Sequence, residues 1–576
     1  MRLILRYLKK YPKLILLNVF GIFSFVFVQL GIPTIMSWMI DTGIANKDIG
    51  YIKKMGFLML AVSIFGGAGT ILLGYASSRI STYMIRDIRN DIFTKAQDFS
   101  HTEYNKFGIS SMITRTSNDA FQLMLFSNIL FRTALMTPVM IIISVFLTLR
   151  TSLSLSLIIG GTIPFILLGI FIIAKASNPL SSKQQKGMDQ LNRISRENIT
   201  GVRVIRAFRK SNFEADRFAK ANDGYASNSR KLFKLMSITQ PIFFFILHLA
   251  MMAVFWISSL MIDAGSLQVG QLVAFLEYQF HAMFSIMLFS MVFVMYPKAQ
   301  VSANRIQELL DEEPLIQNPE NGVTETTQTE TVQFDHVTFQ YPDGELPVLK
   351  DINFTAHKGE TIAFIGSTGS GKSTLINLIP RFYDVTEGAI KINDIDVRDY
   401  DLKALREKIG FIPQKALLFK GTISNNLRFG KEDASKEEMI HSTKVAQAFD
   451  FIQEKPKKLE SVISEGGKNV SGGQKQRLSI SRAVIRRPDL YIFDDSFSAL
   501  DFKTDAALRA SLNEETTDSI VFIVAQRISS IMNADKILVL NNGEVVGIGT
   551  HKELLKSCDI YYEIAESQLT KEELER

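Results

Sequence analysis

The chain has 576 residues, with 64 Lys and Arg against 58 Asp and Glu and a net charge of +6. A hydrophobic share of 47%, with 42 Phe and a mean hydropathy of +0.13, excludes a disordered chain and points to membrane spans. The single cysteine, Cys558, excludes an internal disulfide framework, a four-cysteine zinc site and an iron–sulfur cluster.

Charge divides the chain into two dissimilar halves. Residues 1–330 hold 32 basic and 21 acidic residues, a balance of +11, whereas residues 331–576 hold 32 and 37, a balance of −5. Six long apolar stretches lie in the first half, at about 14–40, 55–80, 126–149, 153–174, 241–262 and 272–296. Each supplies the ~20 residues that a helix needs to cross the hydrocarbon core. The first follows Arg2, Arg6, Lys9, Lys10 and Lys13. It is too long for a signal-peptide core and has no small-residue cleavage site, so it reads as a retained span. Pro33, Pro138 and Pro164 fall inside spans, where neighbouring helices can satisfy the freed carbonyls.

Loop charges set the orientation. The 175–234 loop carries fourteen Lys/Arg against five Asp/Glu, and the 263–271 loop has no basic residue. Basic loops stay in the cytoplasm, which predicts that both termini are cytoplasmic. The positive charge is then an orientation signal for a chain in the lipid bilayer, with no nucleic-acid partner. The two long loops, about 81–125 and 175–240, repeat apolar residues at helical spacing: Ile85, Ile88 and Ile92, then Ile194, Ile199, Val202 and Ile205. The spans are therefore expected to continue as helices outside the bilayer.

Ionisable residues within spans are candidates for function. Glu277 lies one to two turns into the sixth span, beside Tyr278, Gln279 and His281 and among Phe275, Phe280 and Phe284. A carboxylate there can attract a lipophilic cation, or it can sit at the outer interface and face water; both readings stand. His248, in the fifth span, can equally hydrogen-bond between helices. Residues 311–330 contain no Lys or Arg and two Pro, the composition of an exposed linker.

Past the linker, the apolar run Thr361–Ile365 reads as a buried strand. It leads into Gly366, Ser367, Thr368, Gly369, Ser370, Gly371, Lys372, Ser373 and Thr374, and then into a helical segment. Strand, glycine-rich loop and helix together form a phosphate-binding loop. Glycines let backbone N–H groups approach phosphates, Lys372 supplies charge to the β/γ oxygens, Ser373 can ligate Mg²⁺, and the helix N-terminus adds its dipole. A second buried run, Leu490–Phe493, ends in Asp494, where a Mg²⁺-ordering carboxylate belongs. Ser471, Gly472, Gly473 and Gln474 precede another helix. A Ser there is ordinarily a cap. Two glycines followed by Gln suggest instead a second anion site at the helix N-terminus.

These features together resemble an ATP-binding cassette (ABC) exporter half-transporter, over essentially the whole chain. The resemblance implies an α-helical membrane domain of six spans over 1–310, the linker at 311–330 and an α/β nucleotide-binding domain over 331–576. It implies ATP and Mg²⁺ as ligands and a second half-transporter as partner. Each ATP would be held between one chain's phosphate loop and the other chain's Ser-Gly-Gly-Gln signature. By the same resemblance Tyr341 stacks on adenine, Gln414 contacts Mg²⁺ and senses the membrane domain, and Asp501 touches the partner cassette. Glu465-Gly466-Gly467 resembles the exporter cross-linking loop. Gly108 with Arg115, Asn118 and Asp119, and Glu197 and Gly201 with Arg206-Ala207-Phe208, match the two cytoplasmic-loop patterns. Coupling helices are then expected near 109–114 and 208–213. The implied location is a cell membrane, bacterial and multi-pass, with the cassette in the cytoplasm.

Two positions depart from the family. The Glu that normally follows Asp494 is Asp495, shorter by one methylene, about 1.5 Å. A general base must lie within about 3 Å of its proton. The switch His is Gln526, which can hydrogen-bond a γ-phosphate but carries no charge. Both changes fall on the γ-phosphate, while the signature Ser471–Gln474 is intact. The pattern resembles the degenerate-site subunit of heterodimeric bacterial multidrug exporters. The expectation is a subunit of an ATP-driven exporter of amphiphilic drugs or lipids, with weak hydrolysis at its own site. The alternatives are a homodimeric lipid exporter and a nucleotide-sensing regulatory membrane subunit.

Overall fold

The computed structural model describes residues 2–324, 327–570 and 574, without the side chains of Ile170 and Ala174. Glu325 and Thr326, in the expected linker, lie outside the described residues. Two compact units emerge: residues 1–97 with 110–312, and residues 98–109 with 313–576.

The first unit is helical: α1 Arg2–Leu8, α2 Pro12–Trp38, α3 Ile49–Asp98, which runs one residue into the second unit, α5 Ile109–Thr114, α6 Ala120–Ile129, α7 Met136–Thr151, α8 Leu153–Thr200, α9 Val202–Ala207, α10 Ser211–Ser237, α11 Thr239–Asp263 and α12 Val269–Asp311. Helix α4, His101–Phe107, belongs to the second unit. A π-helical turn, Met39–Ile44, extends α2, and two others, Arg115–Asp119 and Leu130–Ala134, join α5, α6 and α7 into one rod. Among the described residues, six continuous helical stretches are long and apolar enough to cross a membrane. Their outward faces are apolar, with Phe57, Ile71 and Trp256 each about three-quarters exposed. Such a surface is stable in lipid rather than water.

At 50 residues, α3 is about 75 Å long, well beyond bilayer thickness. Its C-terminal half buries Ile80, Ile85, Ile88 and Ile92 on one stripe, as their spacing requires. Helices α2 and α3 approach closely at Gly21, where a Cβ would fall 2.8 Å from the backbone N of Leu73. Small residues of this kind let membrane helices meet backbone to backbone. Helices α2 and α12 are joined by polar contacts: Thr34 and Tyr278 hydroxyls are 2.5 Å apart, and the Gly270 N–H donates to Asp41 Oδ1 at 2.6 Å. The far end of α12 is held by buried Arg115, which donates to the Arg305 carbonyl at 2.6 Å and to Glu308 Oε2 at 2.8 Å. Ser302 donates to Asp119 Oδ1 at 2.9 Å in the same cluster.

The second unit carries β1 Thr331–Phe339, β2 Leu349–His357, β3 Thr361–Gly366, β4 Glu387–Ile392, β5 Ile395–Asp396, β6 Ile409–Ile412, β7 Gly421–Thr422, β8 Val462–Ile463, β9 Leu490–Asp494, β10 Ile520–Val524, β11 Lys536–Asn541 and β12 Glu544–Gly549. Its main sheet has the order β12-β11-β3-β10-β9-β6, parallel except for β12. Strands β9 and β10 are buried at every position, as expected for a parallel strand covered on both faces. The helices are α13 Lys372–Leu378, α14 Leu402–Glu407, α15 Ile423–Arg428, α16 Lys436–Val445, α17 Phe449–Gln453, α18 Gly472–Val484, α19 Phe502–Glu515, α20 His551–Ser557 and α21 Asp559–Glu566. An antiparallel sheet, β2-β1-β4-β5, packs its apolar face into the same core as one face of the main sheet. Helices α15 to α18 enclose a separate small core around Leu427, Phe451 and Leu478.

Helix α4 packs within this second unit. His101 lies 5.0 Å from the Phe382 ring and 5.8 Å from Tyr383. Glu103 closes a capping box with Ser100 and also accepts from the Leu315 N–H at 3.2 Å. Segment 98–109 thus belongs with the second unit, and the expected stretch 109–114 is a separate short helix, α5.

Candidate nucleotide site

Strand β3 ends at Gly366, whose Cβ would fall 2.0 Å from the Leu540 carbonyl, so no larger residue fits there. The loop turns through positive φ at Gly369 and Gly371 and delivers Lys372 and Ser373 to the start of α13. Strand β9, its parallel neighbours and the loop after β10 bring Asp494, Asp495 and Gln526 to the same ends of the sheet. Thr368, Gly369, Gly371, Lys372, Ser373, Thr374, Gln414, Asp494, Asp495 and Gln526 line one cavity of about 390 Å³ with Val348 and Val524. Gly366, Ser367 and Ser370 form the wall behind it: the Lys372 ammonium donates to the Gly366 and Ser367 carbonyls at 2.8 and 2.7 Å.

The electrostatics suit an anion with a divalent cation. Burial holds the Lys372 ammonium below its ordinary pKa, against the pull of Asp495 and Asp494. Burial likewise raises the Asp494 carboxyl, with the neighbouring Asp495 adding to the rise and the Ser373 hydroxyl opposing it. Ser373 Oγ donates to Asp494 Oδ1 at 2.8 Å. A hydroxyl and a carboxylate in contact, beside a second carboxylate, are a donor set that Mg²⁺ fits: the cation would relieve both buried negative charges.

Asp495 is fixed more tightly than a free base. Its Oδ2 accepts from Gln526 Nε2 at 2.9 Å and from Gln414 Nε2 at 3.2 Å. Its backbone is left-handed, at φ 46°, and its N–H is bonded to the Val524 carbonyl. Gln414 and Gln526 therefore converge on one carboxylate oxygen.

The remaining sequence-derived residues lie outside this cavity. Tyr341 does not line the cavity; its hydroxyl is 2.9 Å from Thr374 Oγ1, and its ring meets Tyr383 edge to face at 5.2 Å. Ser471 and Gln474 form a capping box at the start of α18, bonding reciprocally at 3.2 and 3.1 Å. The Gln474 side chain is thus engaged in the capping box. Ser471 and Gly472 are exposed at the unit's surface. Asp501 is also exposed, and caps α19 by accepting from Thr504. Glu277 belongs to the first unit, where it is exposed on α12.

Sequence reasoning missed two contacts that tie these segments together. Buried Gln476 donates to the Pro413 carbonyl at 3.2 Å, linking α18 to the loop of Gln414. Gln568 bonds the backbone on both sides of Arg527. Neither carries a motif; only the distance in space reveals them.

Residues 15–296 match the family model of the ABC transporter transmembrane region and residues 349–498 that of the ABC transporter. An uncharacterised ABC transporter ATP-binding protein of Mycobacterium tuberculosis is 37% identical over 94% of this chain and 93% of its own length. The uncharacterised ABC transporter ATP-binding protein YfiB of Bacillus subtilis is 35% identical over 99% and 98%. A Staphylococcus aureus protein described as a putative multidrug export ATP-binding/permease protein is 30% identical over 97% and 98%. The solved structure of a bacterial Atm1-family ABC exporter with ATP bound superposes at a TM-score of 0.79, over 98% of each chain at 22% identity. With six membrane helices, a phosphate loop on a parallel sheet and relatives matched along nearly their full length, the chain belongs to the ABC transporter family, as an exporter half-transporter and a multi-pass protein of the bacterial cell membrane.

Proposed function

We propose that this chain is one subunit of an ATP-driven exporter of amphiphilic drugs or lipids, and that its own phosphate loop holds ATP with little turnover. The observation that carries this reading is Asp495 Oδ2, which accepts from both Gln414 and Gln526. A base must lie within about 3 Å of the attacking water's proton; a carboxylate one methylene short and tied back at Oδ2 would be held away from it, and losing a positioned base costs about 10²–10⁴ in rate. When bound, Mg²⁺ would supply charge stabilisation to the β- and γ-phosphates from the Ser373–Asp494 side. Lys372 would bind the same oxygens, and Tyr341 would turn from Thr374 to the adenine.

The exposed signature, Ser471 to Gln474, would complete the site of a second half-transporter, and Asp501 would contact that partner. Its capping box leaves the Gly472 and Gly473 N–H groups as the anion-facing donors. The linker at 311–330 would separate the membrane domain from a cytoplasmic cassette at 331–576, and both termini would be cytoplasmic. The S. aureus relative's description and the Phe/Met-rich cluster of Phe244, Phe280, Met283 and Phe284 support an amphiphilic cargo. Glu277, exposed on a spanning helix, would meet a cationic group of the cargo.

ATP-driven accumulation of ethidium in inverted vesicles bearing the assembled complex tests the proposal. Uptake is expected, and Glu277→Gln should slow ethidium several-fold while sparing a neutral dye. No ATP-dependent uptake of either dye would favour the regulatory reading.

A further inference from the structure

We infer that Gln568 is a positioning residue for the γ-phosphate switch, acting from the C-terminal segment on Gln526; this rests on reading Gln526 as the γ-phosphate contact. The Gln568 carboxamide bridges two backbone groups of the switch loop. Its Nε2 donates to the Gln526 carbonyl at 2.9 Å, and its Oε1 accepts from the Ile528 N–H at 2.9 Å. A side-chain amide with one donor and one acceptor in use mimics a neighbouring strand. Fixing the carbonyl of residue 526 and the N–H of residue 528 restrains the dihedrals between them. The fixed Gln526 carbonyl orients the peptide plane after its Cα, and the Ala525 N–H bonded to the Phe364 carbonyl holds the chain before it; together they set the direction in which the Gln526 side chain leaves the backbone.

The two ends of this tether are rigid. On one side, Ala525 is bonded to the Phe364 carbonyl beside the phosphate-loop strand, and Ile528 is fully buried. On the other, α21 is anchored by Ala565 and by Tyr561, both fully buried, the latter with its hydroxyl 2.7 Å from His551 Nδ1. The Gln568 N–H and the Leu569 N–H both bond to the Ala565 carbonyl, which continues that anchor to the carboxamide. The switch loop has a separate hold at Ser529, whose carbonyl accepts from Arg509 at 2.7 Å. Removing the Gln568 side chain therefore leaves the loop attached at Ser529, at Ala525 and through its own turn, but releases the Gln526 carbonyl and the Ile528 N–H.

The test is a double-mutant cycle on the purified full-length transporter, with Mg²⁺-8-azido-ATP photolabelling of this chain on ice as the readout. Labelling reports binding at this phosphate loop whether or not the site hydrolyses. Gln568→Ala is expected to raise the half-saturating concentration about three- to tenfold, the range for losing hydrogen bonds of ordinary strength. Gln526→Ala should raise it similarly, and the double variant should show no further increase, because Gln568 acts through Gln526. Wild-type half-saturation in Gln568→Ala, or effects that multiply in the double variant, would overturn the inference. A silent Gln526→Ala would instead remove the γ-phosphate reading on which it rests.

Discussion

Asp495 and Gln526 show how two substitutions can form one local structure. The shorter carboxylate places Oδ2 at 2.9 Å from Gln526 Nε2, and the amide satisfies it without charge. A His at 526 would exchange this neutral donor for a titratable one, and a Glu at 495 would extend past the present contact. The pair is thus expected to act non-additively. Asp495→Glu with Gln526→His in the assembled complex should raise ATP turnover at least tenfold over the unmodified complex with its partner site inactivated, whereas either change alone should recover much less. Steady-state ATPase rates of the four combinations check this. Both departures were legible in the sequence because the phosphate loop fixes the frame in which they are read. The convergence of Gln414 on the same oxygen was not legible, because 81 residues separate the two positions.

The elements were legible where period and length agree. The apolar stripe of Ile85, Ile88 and Ile92 is buried along α3, and the long loops are helical as their spacing predicts. Helix α4 escaped this logic. It has seven residues, too few for a period to register, and its position is decided by a capping box and by His101 against Phe382 and Tyr383. Helix contacts also turn on single small residues that composition does not single out. Gly21 allows α2 to lie against the α3 backbone, so Gly21→Ala should push the two helices apart and destabilise the membrane domain by about 1–3 kcal/mol. A thermal unfolding curve of the detergent-solubilised protein, read against Gly74→Ala at a position with open space around it, measures the difference.

At the scale of the molecule, the positive and negative halves correspond to a membrane region and an ATP-binding cassette. The exposed Ser471 and Gly472 and the exposed Asp501 are groups whose proposed partners lie on another chain, and the exposed Glu277 is proposed to meet cargo. Ser471 and Asp501 were legible as motifs, and within the chain each caps the helix that follows it. The proposed asymmetry, an own site that binds and a partner site that hydrolyses, is a property of the pair. ATP turnover by the purified chain without a partner, at saturating Mg²⁺-ATP, tests it most directly. Turnover at least a hundredfold below that of the assembled two-chain complex is the predicted result, and turnover by the chain alone that equals the complex would contradict it.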